Sequence, residues 1–287
     1  MFSTIGFEIE VDLNHIPSNL FFEKYKNSHT WRREYYLSQV EKNDLMFDVH
    51  SSSDLNSVVD NLVCDLELEI ETISKCFDVQ IPISSMYFNV YDSLVSNGIH
   101  IHINGVEEFK DYAVDNGIQV GVLFDKFREF LVRLYIEIFG LSGRFVFSHH
   151  VWGHYRSSRY SFKQKSKFRP VVFRREYNTF ELRMFNLEDL FDVKRMKRFL
   201  RRLYRSKIDR IEKTRKSRIH KKLECMDCEF NDTWIDFVSL YGNKFRSNEK
   251  VMFDRNSLVV WKKIKMVDGS DIVDGFCRVL FCRPCEV

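Results

Sequence analysis

The stretch Gly6-Phe7-Glu8-Ile9-Glu10-Val11-Asp12 constrains this chain more than any other. Side chains on a strand alternate between faces, so Phe7, Ile9 and Val11 share one face while Glu8, Glu10 and Asp12 share the other. The apolar face is what a half-buried strand needs to pack on a core. The acidic face stacks three carboxylates, and such a row repels itself unless water or a cation neutralises it. Taken alone, the stretch is either an edge strand with a solvated acidic face or a row of oxygen ligands for a hard divalent cation such as Mg2+ or Mn2+.

Two later stretches repeat the pattern. In Gly98-Ile99-His100-Ile101-His102-Ile103-Asn104 the isoleucines alternate with His100, His102 and Asn104. In Thr179-Phe180-Glu181-Leu182-Arg183-Met184-Phe185 the apolar Phe180, Leu182 and Met184 alternate with Glu181 and Arg183. Three strands thus each carry an apolar stripe opposite a tight ionisable pair. If they join one sheet with their polar faces aligned, the pairs converge on one surface.

Gly-x-Glu-x-Glu near the start, Gly-x-His-x-His in the middle and Glu-x-Arg on a late strand, in that order, resemble the glutamine synthetase and γ-glutamylcysteine ligase superfamily. The nearest likeness is to its small prokaryotic and phage amidoligases, which are ATP-dependent carboxylate–amine ligases. It runs from about residue 4 to about residue 205. The resemblance implies an α+β fold, a curved and mainly antiparallel sheet whose polar concave face is the active site. It also implies that Glu8, Glu10, His100 and Glu181 hold Mg2+ or Mn2+, that Arg183 steadies the migrating phosphoryl group of ATP, and that His102 lies nearer the phosphates or substrate. The substrates would be a small-molecule or peptide carboxylate and an amine. Asp48, in Leu45-Met46-Phe47-Asp48-Val49-His50 before the turn Ser51-Ser52-Ser53, matches a position where the family usually has Glu. Its shorter side chain leaves room for an intervening water.

The rest of the chain supplies helices. Leu55, Val58, Val59, Leu62, Val63, Leu66, Ile70 and Ile73 recur at helical spacing and predict a helix over 54–77, with Ser53 or Asp54 as its cap. Cys64 and Cys76 on or near it read as small core hydrophobes. A second amphipathic helix is expected over 121–139, ended by Gly140. Helices alternating with the motif strands fit a sheet covered on one face. The aromatic stretch 20–36 reads as irregular, and 87–91 as a strand or extended linker.

Residues 144–178 lack regular periodicity and carry many nitrogens. They are either a solvated loop or a grip for a triphosphate; Arg156 and Arg159, flanked by Tyr155 and Tyr160, are the preferred pair for ATP. From Leu187 to about Lys222 a single long helix is expected, with Met196, Phe199, Leu200, Leu203, Ile208 and Ile211 as its stripe. Its other face, basic throughout residues 194–222, is solvated or, as an alternative, binds nucleic acid.

The chain divides into a catalytic domain over 1–222 and a small appendage over 223–287, built of short strands near 251–253, 258–266 and 276–281. Cys225, Cys228, Cys282 and Cys285 form two Cys-x-x-Cys pairs, which either share a structural Zn2+ or stand as reduced thiols. No apolar run approaches the length of a membrane span, no secretory signal opens the chain, and the expectation is a cytoplasmic protein with reduced cysteines. The formal charge of +3 is too near zero to name a polyanionic partner. P-loop and Gly-rich kinase motifs are missing. The rival enzyme reading is a metal-dependent hydrolase that uses the same His and carboxylates to activate water.

Overall fold

The computed structural model describes residues 2–13, 16–33, 39–79, 81, 87–88, 94–95, 97–139, 171–214, 249–254, 257–265 and 271–280. The first half of the chain runs β1 (Thr4–Asp12), α1 (Ser18–Lys24), β2 (Arg32–Arg33), β3 (Gln39–Asp48), α2 (Ser52–Phe77), β4 (Tyr87–Phe88), β5 (Leu94–Val95), β6 (Gly98–Ile103), α3 (Val106–Asp115) and α4 (Val120–Phe139). The second half runs β7 (Val171–Arg174), β8 (Thr179–Asn186), α5 (Leu187–Phe191), α6 (Val193–Tyr204), α7 (Ile208–Glu212), β9 (Glu249–Asp254), β10 (Ser257–Lys265) and β11 (Asp271–Leu280).

The fold is α+β. Its main sheet has the order β2-β3-β1-β6-β8-β7, and every neighbouring pair is antiparallel. The three motif strands β1, β6 and β8 therefore lie side by side in the middle. Strands β9 to β11 form a separate three-stranded antiparallel sheet.

Alternation sends the apolar residues of β1, β6 and β8 to the helix side. There Phe180 meets Phe109 of α3 and Phe124 and Phe127 of α4, with ring centroids 4.8–5.9 Å apart. Phe185 meets Tyr135 and Phe139 of α4 and Phe199 of α6 at 4.9–5.7 Å. Offset and edge-on aromatic pairs of this kind add to the burial of their area. Helix α2 buries the expected stripe from Leu55 to Ile73 and starts with a capping box, Ser51 with Asp54. On the same side of the sheet, Glu69 of α2 accepts hydrogen bonds from Trp31 Nε1 (2.7 Å) and from Lys42 of β3.

Strand β6 is stapled to β1 at both ends by asparagine side chains. Asn97 Oδ1 accepts from the Asp12 N–H (2.7 Å), and Asn104 Oδ1 accepts from the N–H groups of Ser3 (2.8 Å) and Thr4 (3.0 Å). Gly105 follows at φ 102°, a left-handed position suited to glycine, and turns the chain into α3.

Three expectations are corrected. The stretch 20–36 is not irregular throughout; it holds α1 and β2. The single helix expected over 187–222 is three short helices through residue 212. Asp192 interrupts it because its carboxylate accepts the Arg195 N–H (3.2 Å) and caps α6, a competing role that periodicity alone does not reveal. Cys64 and Cys76 are exposed thiols rather than core residues, since both fall outside the apolar stripe of α2.

Candidate functional site

On the face opposite the helices, register decides which side chains meet. Glu8 pairs with His100, and Gly6 with His102; His102 pairs in turn with Glu181, and Arg174 with Thr179. Directly paired residues share a face, so Glu8, His100, His102, Glu181, Thr179 and Arg174 stand together. Arg183, two residues after Glu181, shares its face, and a β-bulge lies beside it, since Arg183 and Met184 of β8 together oppose His100 of β6. A second bulge, between Phe7 and Ile9, interrupts β1–β3 pairing at the level of Glu8. The two bulges flank the Glu8–His100 row, one on each side, and each adds local twist that re-aims side chains.

The convergence is close. His100 Nδ1 lies 2.9 Å from Glu8 Oε2 and 3.2 Å from Glu181 Oε1, and His100 Nε2 lies 3.5 Å from Glu10 Oε1. His102 Nε2 is 3.0 Å from Glu8 Oε1, and His102 Nδ1 is hydrogen-bonded to Thr179 Oγ1 (3.2 Å). Glu181 is fully buried. It accepts from Arg183 Nη1 (2.6 Å) and Arg174 Nη2 (3.2 Å) at Oε1, and from Arg174 Nε at Oε2. Gly6 leaves the space between Met46 and His102 that a side chain would occupy, which accounts for the glycine two residues before Glu8.

The electrostatics follow from this crowding. Burial pushes the Glu8 carboxyl up, but its contacts with His100 and His102 outweigh that and hold it well below the ordinary 4.5. For Glu181 burial again raises the value, and the charges of His100, Arg183 and Arg174 turn the net shift downward. Arg174 is partly desolvated, which opposes its charge, yet its pairing with Glu181 raises it overall. Both carboxylates are therefore ionised across the neutral range.

A divalent cation fits the donors present. One ligand atom from each of Glu8, His100 and Glu181 lies within 4.8 Å of the others. The 2.9 Å and 3.2 Å separations around His100 Nδ1 match adjacent ligands on an ion with bonds of about 2.1 Å. The buried Nε2 atoms of His100 and His102 each face a carboxylate oxygen, Glu10 Oε1 at 3.5 Å and Glu8 Oε1 at 3.0 Å. Two carboxylates with an imidazole suit Mn2+ at least as well as Mg2+.

No family model matches the chain, and no curated protein matches it.

Of the residues singled out from sequence, Glu8, Glu10, His100, His102, Glu181 and Arg183 come together. Asp48 does not join them: it pairs with Thr4, four residues along β1 from Glu8, and is exposed there. Arg156, Arg159, Cys225, Cys228, Cys282 and Cys285 lie outside the described residues. Two participants were not singled out, Arg174 and Thr179. The signal for both was a hairpin: a short β-branched and aromatic run, Val171-Val172-Phe173-Arg174, then a four-residue turn before Thr179.

Proposed function

We propose that this chain is an ATP- and divalent-metal-dependent carboxylate–amine ligase with a glutamine synthetase-like catalytic fold. The observation that carries the reading is the meeting of two carboxylates, two imidazoles and two guanidiniums on one face of four adjacent strands. Such a surface can hold a cation and a polyanion together. Amide synthesis from a free carboxylate needs both, because the acid must first be activated. Its oxygen attacks the γ-phosphorus of ATP, ADP leaves, and the amine then attacks the acyl phosphate carbon and expels phosphate.

Glu8, His100 and Glu181, with Glu10 beside them, are the residues to hold Mg2+ or Mn2+. When bound, the metal supplies neutralisation of phosphate oxygens. Arg183, held by Glu181 with its fork on the polar face, stabilises charge on the phosphoryl group in transit. His102, oriented through Nδ1 by Thr179 and facing Glu8 Oε1 through Nε2, is the residue nearer the phosphates or substrate.

The hydrolase reading shares the metal ligands but leaves the paired arginines without a task. For the nucleic-acid reading, the face of α6 is partly engaged within the chain: Arg195, Lys197 and Arg202 pair with Asp192, Asp60 and Glu137. The decisive experiment is ADP release with Mg2+ or Mn2+ over a panel of acids and amines. ADP release that requires both acid and amine supports the ligase; turnover of an ester or amide without ATP would transfer the site to the hydrolase.

A further inference from the structure

The donors at Oε1 of Glu181, the oxygen that faces His100, exceed what it can serve while also binding a metal. A carboxylate oxygen has about two lone-pair directions. Oε1 already meets Arg183 Nη1 at 2.6 Å, Arg174 Nη2 at 3.2 Å and His100 Nδ1 at 3.2 Å, while Oε2 accepts from Arg174 Nε. A cation held by Glu8, His100 and Oε1 of Glu181 would need one of the lone pairs on that oxygen. It must also tolerate the positive charge already gathered there. One of the two guanidiniums has to yield.

The two arginines are not equally free to do so. The Arg183 side chain is 12% exposed and sits in the bulge opposite His100; that of Arg174 is 35% exposed and ends the short strand β7, next to the hairpin turn. Arg174 holds both oxygens of Glu181, so its departure frees Oε2 and leaves Arg183 as the one guanidinium on Oε1.

Resting on the metal-site reading above, we propose that Arg174 is a built-in substitute cation: it neutralises Glu181 in the metal-free protein, gives way to the arriving divalent ion, and then offers its freed N–H groups to an anionic oxygen of the substrate. The ligand class it would meet is a phosphate or carboxylate oxygen, because a planar guanidinium fork matches those oxygens in pairs. In this account Arg174 opposes metal binding and favours anion binding. A merely supporting residue, one that orients Glu181 for the metal, would favour metal binding. The two roles predict opposite signs for one measurement.

A unit charge about 6 Å from a divalent ion lowers its affinity about tenfold even when screened as in bulk water. Isothermal titration of Mn2+ into the full chain is therefore expected to show about tenfold tighter binding for Arg174→Gln than for the parent. Arg174→Lys, which keeps the charge and loses the fork, should fall between the two. In the presence of saturating Mn2+, binding of ADP should weaken in Arg174→Gln by about tenfold, the loss of one charge-assisted contact. Circular dichroism of each variant reports whether the fold is kept, and Arg174→Lys stands in if Arg174→Gln is unfolded. Weaker or unchanged Mn2+ affinity in a folded Arg174→Gln overturns the exchange role while leaving the metal site intact. Absence of Mn2+ binding in both the parent and Arg174→Gln overturns the metal site itself, and the exchange with it.

Discussion

The two faces of the central sheet each carry a carboxylate hub, half-buried Glu69 on the helix side and fully buried Glu181 on the other, and the hubs are built differently. On the helix side Glu69 receives the neutral indole N–H of Trp31 and one cation, Lys42. Its donors balance its charge, and the link ties α2 to β3. On the opposite face Glu181 receives two guanidiniums and abuts an imidazole that also touches Glu8. There the chain concentrates charge of both signs within a few ångströms, at a cost in desolvation that packing does not demand. A carboxylate that only had to hold the fold would need no more than the Glu69 arrangement. The excess at Glu181 is what supports the proposed functional site on this face.

The largest test of this contrast falls on the helix side. Phe180 packs on three aromatic rings of α3 and α4, and Phe180→Ala should lower stability by about 3–5 kcal/mol in urea denaturation. Its neighbour Glu181, one residue along the same strand, should behave otherwise. Glu181→Gln is expected to lose Mn2+ affinity more than stability; a Glu181→Gln chain as unstable as Phe180→Ala would make the two faces equivalent.

Next in size is catalysis. Arg183→Lys keeps the charge and loses the planar fork, so ADP release should fall about 10²–10³-fold while ATP and Mn2+ binding persist. Equal turnover in variant and parent would remove Arg183 from the mechanism. Smaller again is the effect of a single ligand: Glu8→Gln should weaken Mn2+ binding by at least about tenfold, read by titration.

The smallest effect separates the faces by pH. The carboxyls of Glu8 and Glu181 sit below their ordinary value of 4.5 in the folded chain. Between the folded and ordinary values the unfolded chain binds more protons, so their contribution is complete above about pH 4.5 and is lost as pH falls through the folded values. Thermal midpoints of the parent should decline on acidification below that point. Glu8→Gln should flatten the decline, whereas Phe180→Ala should lower the whole curve without changing its slope. Parallel curves for Glu8→Gln and the parent would show that Glu8 carries no such linkage.

Period-two alternation made β1, β6 and β8 readable, because one-sided burial forces it, and the stripe of α2 was readable for the same reason at helical period. The site residues carried on those three strands came with them. What escaped was set by partners rather than by local pattern. Arg174 stands on a four-residue strand whose pairing with β8 alone defines its face. Asp48 shares the motif's chemistry but not its level, since β3 registers it against Thr4. The break at Asp192 hides in an unbroken helical period because the residue acts through its side chain as a cap. Helix α3 escaped because its ten residues follow directly on the turn at Gly105.

The bulge in β8 leaves its own trace in the primary structure. Past it the alternation restarts one residue out of phase, so that Met184 and Phe185 are both buried in succession and Asn186 returns to face Gly98. Deleting Met184 would restore a regular beat, leaving Arg183 on the face of Glu181 and directly opposite His100, but without the extra twist that the bulge adds there. The local twist beside His100 thus hangs on one supernumerary residue.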